Sequence, residues 1–342
     1  MANLKVLVTA DINREEIENI KGLDIEYAGY ILDYEVLDHD ILIEKCKDKD
    51  ILVSEYDTVD AAVFENAKDL KLIVCCRGGV SSVVDLEAAK KHGVLVCNTP
   101  GRNANSVSDF TMGLLIDITR NISISNSLIF NKTITSDSTN KPEEYTDTVW
   151  GLDGKSPFIR FRGKQLKNRT LGLVGFGAVG RLVAKKAKPF GINIVVYDPY
   201  LKKDQLPEGI KLISTVEELV GVSDFVSLHC AVTDQTKGMF DSKMFSKMKD
   251  GAFFINTARG VLVDEIALID ALDRGKLAGA AMDVACTEPI PSSSPLLDAK
   301  NLVLTPHISG SSAEVKDEGT ILVVSSINSF MKGATPTHCV NV

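Results

Sequence analysis

Long hydrophobic runs are missing from this chain of 342 residues. No apolar stretch approaches the ~20 residues that a membrane-crossing helix needs, so no membrane span is expected. Met1-Ala2-Asn3-Leu4-Lys5 lacks the layout of a secretion signal and moves straight into a strand pattern. The seven cysteines show no CxxC spacing, and an odd number in a large chain suits buried thiols in a reducing compartment better than a disulfide scaffold. The expectation is therefore a cytoplasmic protein. His39, His92, His229, His307 and His338 are scattered, without HExxH or His/Cys ligand spacing, so no metal is expected. Positive charge is in deficit as well. A formal net charge of −8 gives no basic surface for nucleic acid. The local exception, Arg160, Arg162, Lys164, Lys167 and Arg169, reads first as a solvated loop ahead of a strand, with a place near an anionic ligand or partner as the alternative.

What the chain does have is alternation of short β-rich runs with helical patterns. Lys5 to Thr9, Ile51 to Ser54, Leu72 to Cys76 and Val94 to Cys97 read as strands, with helices such as Asp60 to Leu70 and Val84 to Lys91 between them. Asn98-Thr99-Pro100-Gly101 is a stop signal. A long helix is expected over Asn103 to Phe130, where Val107, Phe110, Leu114, Leu115, Ile118 and Ile122 recur at helical spacing. Its length suits a linker between lobes or a packing face for a second subunit. Residues 131–164, with Trp150, are polar and irregular. A second unit follows with strands at Val195 to Tyr197, Phe225 to His229, Ala252 to Asn256, Gly279 to Asp283 and Leu302 to Thr305. Thr215-Val216-Glu217-Glu218 reads as a capping box, and Asp264 as the cap of a helix over Glu265 to Asp273. One more helix pattern, Ser312 to Phe330, cannot bury its apolar face alone and most simply packs back on the first lobe. The expected division is residues 1–101 completed by 308–342, around a unit of 102–307. Alternation of this kind implies parallel sheets covered on both faces.

Gly175-Phe176-Gly177-Ala178-Val179-Gly180 is the most specific motif. It lies between a strand, Thr170 to Val174, and a helix, Arg181 to Phe190. The strand Ile192 to Tyr197 then ends on Asp198, close to the ~20-residue spacing of a dinucleotide fingerprint. Gly175 permits the tight turn, Gly177 leaves room for a pyrophosphate, and Gly180 lets helix and strand approach. Free N–H groups near Ala178 and Val179 would meet the phosphates. The Asp198 carboxylate accepts ribose hydroxyls and repels a 2′-phosphate, so NAD is favoured over NADP, with Lys202 or Lys203 the residues that could weaken that preference. The fold class is α/β in two lobes: a Rossmann-type doubly wound parallel sheet over 102–307 and a smaller flavodoxin-like substrate lobe.

Ligands sit beyond the carboxyl ends of such strands, and three loops there carry reactive groups. Arg259 follows one strand, Glu288 another and His307 a third. Arg259 can hold a carboxylate by a bidentate pair and polarise a keto oxygen. His307 can deliver or remove the proton, and Glu288 can orient its imidazole. The set fits hydride exchange with a small 2-keto or 2-hydroxy acid. For each residue alone the bland reading is an ordinary surface group or ion pair; their shared topological position favours catalysis. His229 also ends a strand and is expected to line the cofactor cleft rather than to act as proton donor.

At these residues the chain resembles the D-isomer-specific 2-hydroxyacid dehydrogenases, particularly the D-3-phosphoglycerate dehydrogenases among them. The resemblance rests on the glycine loop, Asp198, Asn256-Thr257-Ala258-Arg259-Gly260, Asp283, Glu288-Pro289, Thr305-Pro306-His307, Arg77-Gly78-Gly79-Val80 and Asn98-Thr99-Pro100-Gly101-Arg102-Asn103-Ala104. It implies Arg259, Glu288 and His307 as the catalytic set. It also implies substrate-carboxylate contacts near Arg77, Gly78, Gly79 and Val80, a nicotinamide carboxamide contact at Asp283, and Thr257 and Ala258 lining the nicotinamide side. A homodimer joined through the cofactor domains is implied too. Ser82 and Val83 stand where many relatives have an Asp-Asn pair, Cys230 stands where alanine is common, and the stretch from Thr133 to Arg162 is longer and more polar than in compact relatives. The chain ends soon after His307, so no C-terminal regulatory domain is expected. The substrate expectation is a small acid, D-3-phosphoglycerate or, alternatively, unphosphorylated glyoxylate or hydroxypyruvate. A reading from another class is an NAD(H)-sensing, corepressor-like interaction protein.

Overall fold

The computed structural model describes residues 3–135, 154 and 156–342. Trp150 and most of the polar stretch around it lie outside the described residues. The chain forms two compact units, Met1–Asn103 with Ser311–Val342, and Ala104–Gly310. The divisions expected at 101/102 and 307/308 thus fall at 103/104, where a helix begins, and at 310/311. No helix among the described residues is long and apolar enough to cross a membrane.

In the first unit, β1 (Leu4–Val8), β2 (Leu23–Tyr27), β3 (Ile51–Ser54), β4 (Leu72–Cys75) and β5 (Leu95–Asn98) form one parallel sheet in the order β2-β1-β3-β4-β5. That is the flavodoxin-like order. Successive side chains point to opposite faces, so the continuous apolar runs of β3 and β4 feed two cores. Leu7, Leu52, Ile73 and Val96 pack with Phe64 on one face. Val6, Val8, Ile51, Val53, Leu72 and Val74 pack with Val323 and Ile327 on the other. The last two belong to the helix Val315–Met331, which is tied in further by Asn13, whose amide donates to Thr320 Oγ1 at 2.9 Å. β2 is absent from the sequence reading, which follows continuous apolar runs, although the alternation in Leu23-Asp24-Ile25-Glu26-Tyr27 is the pattern of a half-buried edge strand.

The second unit holds seven parallel strands: β6 (Thr170–Val174), β7 (Asn193–Tyr197), β8 (Ile210–Leu212), β9 (Phe225–Leu228), β10 (Ala252–Asn256), β11 (Leu277–Met282) and β12 (Leu302–Leu304). Their order is β12-β11-β10-β9-β6-β7-β8. The order in which successive strands are added reverses between β6 and β9, the switch point at which doubly wound folds bind dinucleotides. Asp264 caps its helix through the amides of Ile266 and Ala267, and Thr215 accepts from the Glu218 amide.

The helix expected over Asn103 to Phe130 is two helices, Ala104–Arg120 and Ile122–Phe130. Asn121 between them adopts φ 57°, the left-handed conformation that asparagine tolerates. Its side chain donates to the Phe161 carbonyl, and Asp117 accepts from the Ser123 amide to start the second helix. The first helix buries Met112, Leu114, Leu115 and Ile118 against Leu171, Leu173 and Ile255. The second buries nothing and leaves Ile122, Ile129 and Phe130 exposed.

Phe240, Phe245 and Phe254 form a fully buried aromatic cluster on the other face of this sheet, with ring centroids 5.0–5.8 Å apart. Truncating Phe254 to alanine is expected to cost about 3–5 kcal/mol. The exposed Ile321→Ala change should stay within about 0.5 kcal/mol. Urea unfolding of the two variants measures the contrast.

Candidate active site

Because all seven strands of the second unit run the same way, their carboxyl ends share one edge. Along it, in sheet order, follow the loops carrying His307 (after β12), Asp283 and Glu288 (after β11), Arg259 (after β10), His229 (after β9), the glycine turn (after β6) and Asp198 (after β7). Adjacent strands lie about 4.8 Å apart. Residues far apart in sequence therefore stand in one row, with Arg259, Glu288 and His307 on three neighbouring strands.

The glycine turn is built by close approach. Gly175 has φ 94°, and a Cβ there would meet the His229 backbone at 2.6 Å. A Cβ at Gly180 would lie 2.4 Å from the Gly175 carbonyl oxygen. A Cβ at Gly177 would meet nothing within 4 Å, so the space over the first turn of the helix Ala178–Ala187 is open. That is the fit a pyrophosphate requires: free N–H groups, the positive end of a helix dipole and no side chain in the way. Asp198 straps the turn to β7, accepting from the Phe176 amide at 2.8 Å and the Tyr200 amide at 2.9 Å. It also lines a groove of about 780 Å³ with Tyr197, Leu201, Lys203, Leu206 and Ile213. Of the two lysines considered for the ribose end, Lys203 lines this groove.

His229 sits beside the turn, half-buried, with Nε2 2.9 Å from Ser227 Oγ. Desolvation pushes its imidazolium down to about 3, so the ring is neutral near pH 7. Burial likewise keeps the neighbouring Cys230 thiol protonated, pushed up to about 11.

The Arg259 loop is shaped by the buried Asn256, which accepts from the Ala258 amide at 3.0 Å and donates to the Arg259 carbonyl at 2.9 Å. Thr257 is buried and its hydroxyl meets that of Thr111 at 3.0 Å. Arg259 is exposed, its Nη1 donating to the Ala258 carbonyl at 2.6 Å. Gly260 brings this loop against the next one: a Cβ there would lie 2.0 Å from the Ala285 carbonyl carbon.

His307 Nδ1 lies 2.7 Å from Glu288 Oε2, while Glu288 Oε1 accepts from the Ala285 amide at 2.8 Å. Both side chains of the pair are partly exposed. His307 itself has φ 57°, a conformation that needs outside support. Asp283 supplies it. Its carboxylate is fully buried and accepts from Thr305 Oγ1 at 2.6 Å, the Ile308 amide at 2.9 Å and the Ser309 amide at 2.8 Å. Both of its oxygens anchor the His307 loop, and Oδ2 accepts only the Ser309 amide, which leaves acceptor capacity on that oxygen.

The loop Arg77, Gly78, Gly79 and Val80 lies in the first unit, after β4. Val80 is buried, whereas a Cβ at Gly78 or Gly79 would meet nothing within 4 Å. Asn98 Nδ2 donates to the Gly78 carbonyl at 2.6 Å, and the Thr99 amide to the Arg77 carbonyl at 3.0 Å. The Arg77 guanidinium stacks 5.5 Å from the Tyr56 ring centroid. Arg102 is paired with the nearly buried Glu55.

Sequence reasoning missed Ser227 and Thr305 as partners of the site, and Asn256 as the residue that shapes the Arg259 turn. The available signal was a polar residue in or closing an apolar strand, as in Phe225-Val226-Ser227-Leu228.

An edge of this kind, with a dinucleotide turn at the switch point and an imidazole–carboxylate pair to one side, defines a dinucleotide-binding domain of Rossmann type. The family model for the NAD-binding domain of D-isomer-specific 2-hydroxyacid dehydrogenases matches residues 141–309. A glyoxylate reductase of Thermococcus litoralis is 36% identical over 98% of this chain and 96% of its own length. A D-3-phosphoglycerate dehydrogenase of Methanocaldococcus jannaschii is 35% identical over 99% of this chain, which spans 60% of that protein's length. The crystal structure of the TT0316 protein from Thermus thermophilus aligns with a TM-score of 0.78 at 32% identity, covering 98% of this chain and all of that one. The chain belongs to the D-isomer-specific 2-hydroxyacid dehydrogenase family.

The depressed His229 sets a pH dependence. The unfolded chain binds a proton there near pH ~6.5 and the folded one resists it, so acidification from about 6.5 towards 3 destabilises the native state. His229→Asn should flatten the stability-versus-pH curve in that window by at most about 1.4 kcal/mol per pH unit and leave it unchanged above pH 7. Denaturant unfolding across pH 4–8 measures the difference.

Proposed function

We propose that the chain catalyses reversible hydride exchange between NAD and C2 of a small 2-keto or 2-hydroxy acid, with Arg259, Glu288 and His307 as its catalytic residues. NAD, when bound along the glycine turn, supplies or accepts the hydride. Arg259 holds the acid's carboxylate and polarises the keto oxygen. His307 moves the proton to or from that oxygen through Nε2, which has no hydrogen-bond partner among the described residues. Glu288 faces Nδ1, so the hydrogen sits on that nitrogen and the ring is held with Nε2 turned away from the pair. The Arg77 side chain and the backbone N–H groups of Gly78, Gly79 and Val80 are assigned to the substrate, and Thr257 and Ala258 to the nicotinamide side; the Arg77 amide itself donates to the Cys75 carbonyl at 2.7 Å. The observation that carries the reading is the 2.7 Å His307–Glu288 bond on strands adjacent to the Arg259 loop.

Within this class we favour an unphosphorylated acid such as glyoxylate or hydroxypyruvate. A phosphate dianion calls for extra cations, and Arg102 is already committed to Glu55. Of Arg77 and Arg102, only Arg77 has no carboxylate partner among the described residues. D-3-phosphoglycerate is the second reading, supported by the relative from Methanocaldococcus jannaschii. Initial rates with NADH and glyoxylate or hydroxypyruvate should exceed those with NAD and 3-phosphoglycerate; the reverse order overturns the preference. His307→Ala should lower kcat by about 10²–10⁴-fold with NADH binding retained, and full activity in that variant removes the assignment.

We further propose a homodimer formed through the second unit. The helix Ile122–Phe130 presents Ile122, Ile129 and Phe130 to solvent, and Phe158 beyond it is also exposed. Such a patch on a short helix favours coverage by a second copy. Sedimentation equilibrium should give twice the 37.1 kDa chain mass, and Ile129→Glu with Phe130→Glu should return it to one chain.

A further inference from the structure

β5 is the last strand of its sheet, and an edge strand leaves N–H and C=O groups unpaired. Here they are met by the segment that follows the helix Val315–Met331. The Val340 amide donates to the Val96 carbonyl at 2.8 Å, and the Asn98 amide donates to the His338 carbonyl at 3.1 Å. Asn341 clamps the same edge with its side chain, accepting from the Val96 amide and donating to the Val94 carbonyl, both at 2.8 Å.

Between those two backbone bonds lies the antiparallel bridge Cys97↔Cys339. The flanking pattern makes it a non-hydrogen-bonded pair. At such positions the Cα atoms approach to about 4.5 Å and the side chains face each other on one side of the sheet. That spacing lies within the ~4.4–6.8 Å range of disulfides, so a bond needs no backbone movement. The Cys339 thiol donates to Asn341 Oδ1 at 3.5 Å, on the residue that clamps this edge. Both are free thiols; Cys97 is buried against Val74, Val323 and Ile327, and Cys339 is half-buried. The bland reading is two thiols filling a gap at the sheet edge. Against it stand their register and the exposure of one member only, which separates an entry thiol from a resolving one.

We propose that Cys97 and Cys339 are a redox site, closing a reversible disulfide that latches segment 338–341 onto β5. The oxidant is a low-molecular-weight disulfide. The Cys339 thiolate attacks one of its sulfurs, forming a mixed disulfide and releasing one thiol. The Cys97 sulfur then attacks Cys339 Sγ, the Cys97–Cys339 bond forms, and the second thiol leaves. Two cysteine thiols are oxidised by two electrons, and one disulfide is reduced to two thiols. Burial and the neighbouring sulfur hold the Cys97 thiol high, pushed up to about 12, so it stays inert until a mixed disulfide stands beside it. The latch reaches the Arg77–Val80 loop through Asn98. Its amide belongs to the bridged ladder, and its side chain holds the Gly78 carbonyl.

The test uses the full chain, reduced and then treated with oxidised glutathione. Apart from adducts at the exposed Cys286, thiols counted in guanidinium should fall from seven to five, peptide mapping should show Cys97 joined to Cys339, and dithiothreitol should restore the full number. Cys339→Ser should keep all six of its thiols under the same treatment, apart from adducts at the exposed Cys286. Amide exchange over 338–341 and at Gly78 and Gly79 should slow by about tenfold or more in the oxidised form. The proposal is overturned if all seven thiols persist, if the lost pair maps elsewhere, if the Cys339 adduct is never resolved by Cys97, or if exchange is unchanged. None of these readouts requires catalytic activity.

Discussion

One buried carboxylate governs the loop that carries His307. Asp283 receives three hydrogen bonds from the segment Thr305–Ser309 and lies wholly out of solvent. Charge-assisted bonds of this kind are roughly twice as strong as neutral ones, and a buried charge without them would be costly. The carboxylate and the loop are therefore mutually dependent: the loop satisfies the charge, and the charge holds His307 at φ 57°. With the backbone so held, Nδ1 falls 2.7 Å from Glu288. Glu288 is itself oriented by the Ala285 amide, and the Ala285 backbone lies against Gly260, next to Arg259. The three loops are thus linked through the Glu288 carboxylate and the close backbone approach of Gly260 to Ala285.

The cofactor end follows a different logic, of space and polarity rather than charge satisfaction. Gly175 and Gly180 close the turn against His229, and Gly177 leaves it open outward. Asp198 is both a strap for the turn and the acid on the wall of the adjoining groove. His229, kept neutral by its surroundings, adds no charge beside the turn. Of the two strand-end histidines, His307 is the one paired with a carboxylate, which is why the proposed reaction assigns the proton to it.

In the first unit, the same parallel-sheet physics supplies a loop after β4 whose glycines are unobstructed, supported from behind by Asn98 and Thr99. The commitment of Arg102 to Glu55 changes the electrostatic character expected from a list of nearby cations. A count of arginines in the sequence overstates the charge available to an anionic ligand, because a buried partner carboxylate cancels one of them. The paired cysteines on the outer strand are likewise invisible as a pair until residues 97 and 339 are set side by side.

Much was legible before any coordinates. The glycine turn, the acid at the end of β7 and the strand-end placement of Arg259, Glu288 and His307 follow from local patterns, since turn chemistry and apolar periodicity act over a few residues. β2 carried a legible alternation that a search for continuous apolar runs passes over, β8 is three residues and too short for a period, and the break at Asn121 was hidden inside an unbroken helical period. The sequence by itself determined which chemical groups end which strands. Only the tertiary structure decided that β10, β11 and β12 are neighbours, that Asp283 turns inward to the His307 loop, and that Arg102 meets Glu55. Strand order, burial and ion pairing depend on contacts between residues far apart in the chain, and no local pattern encodes those distances.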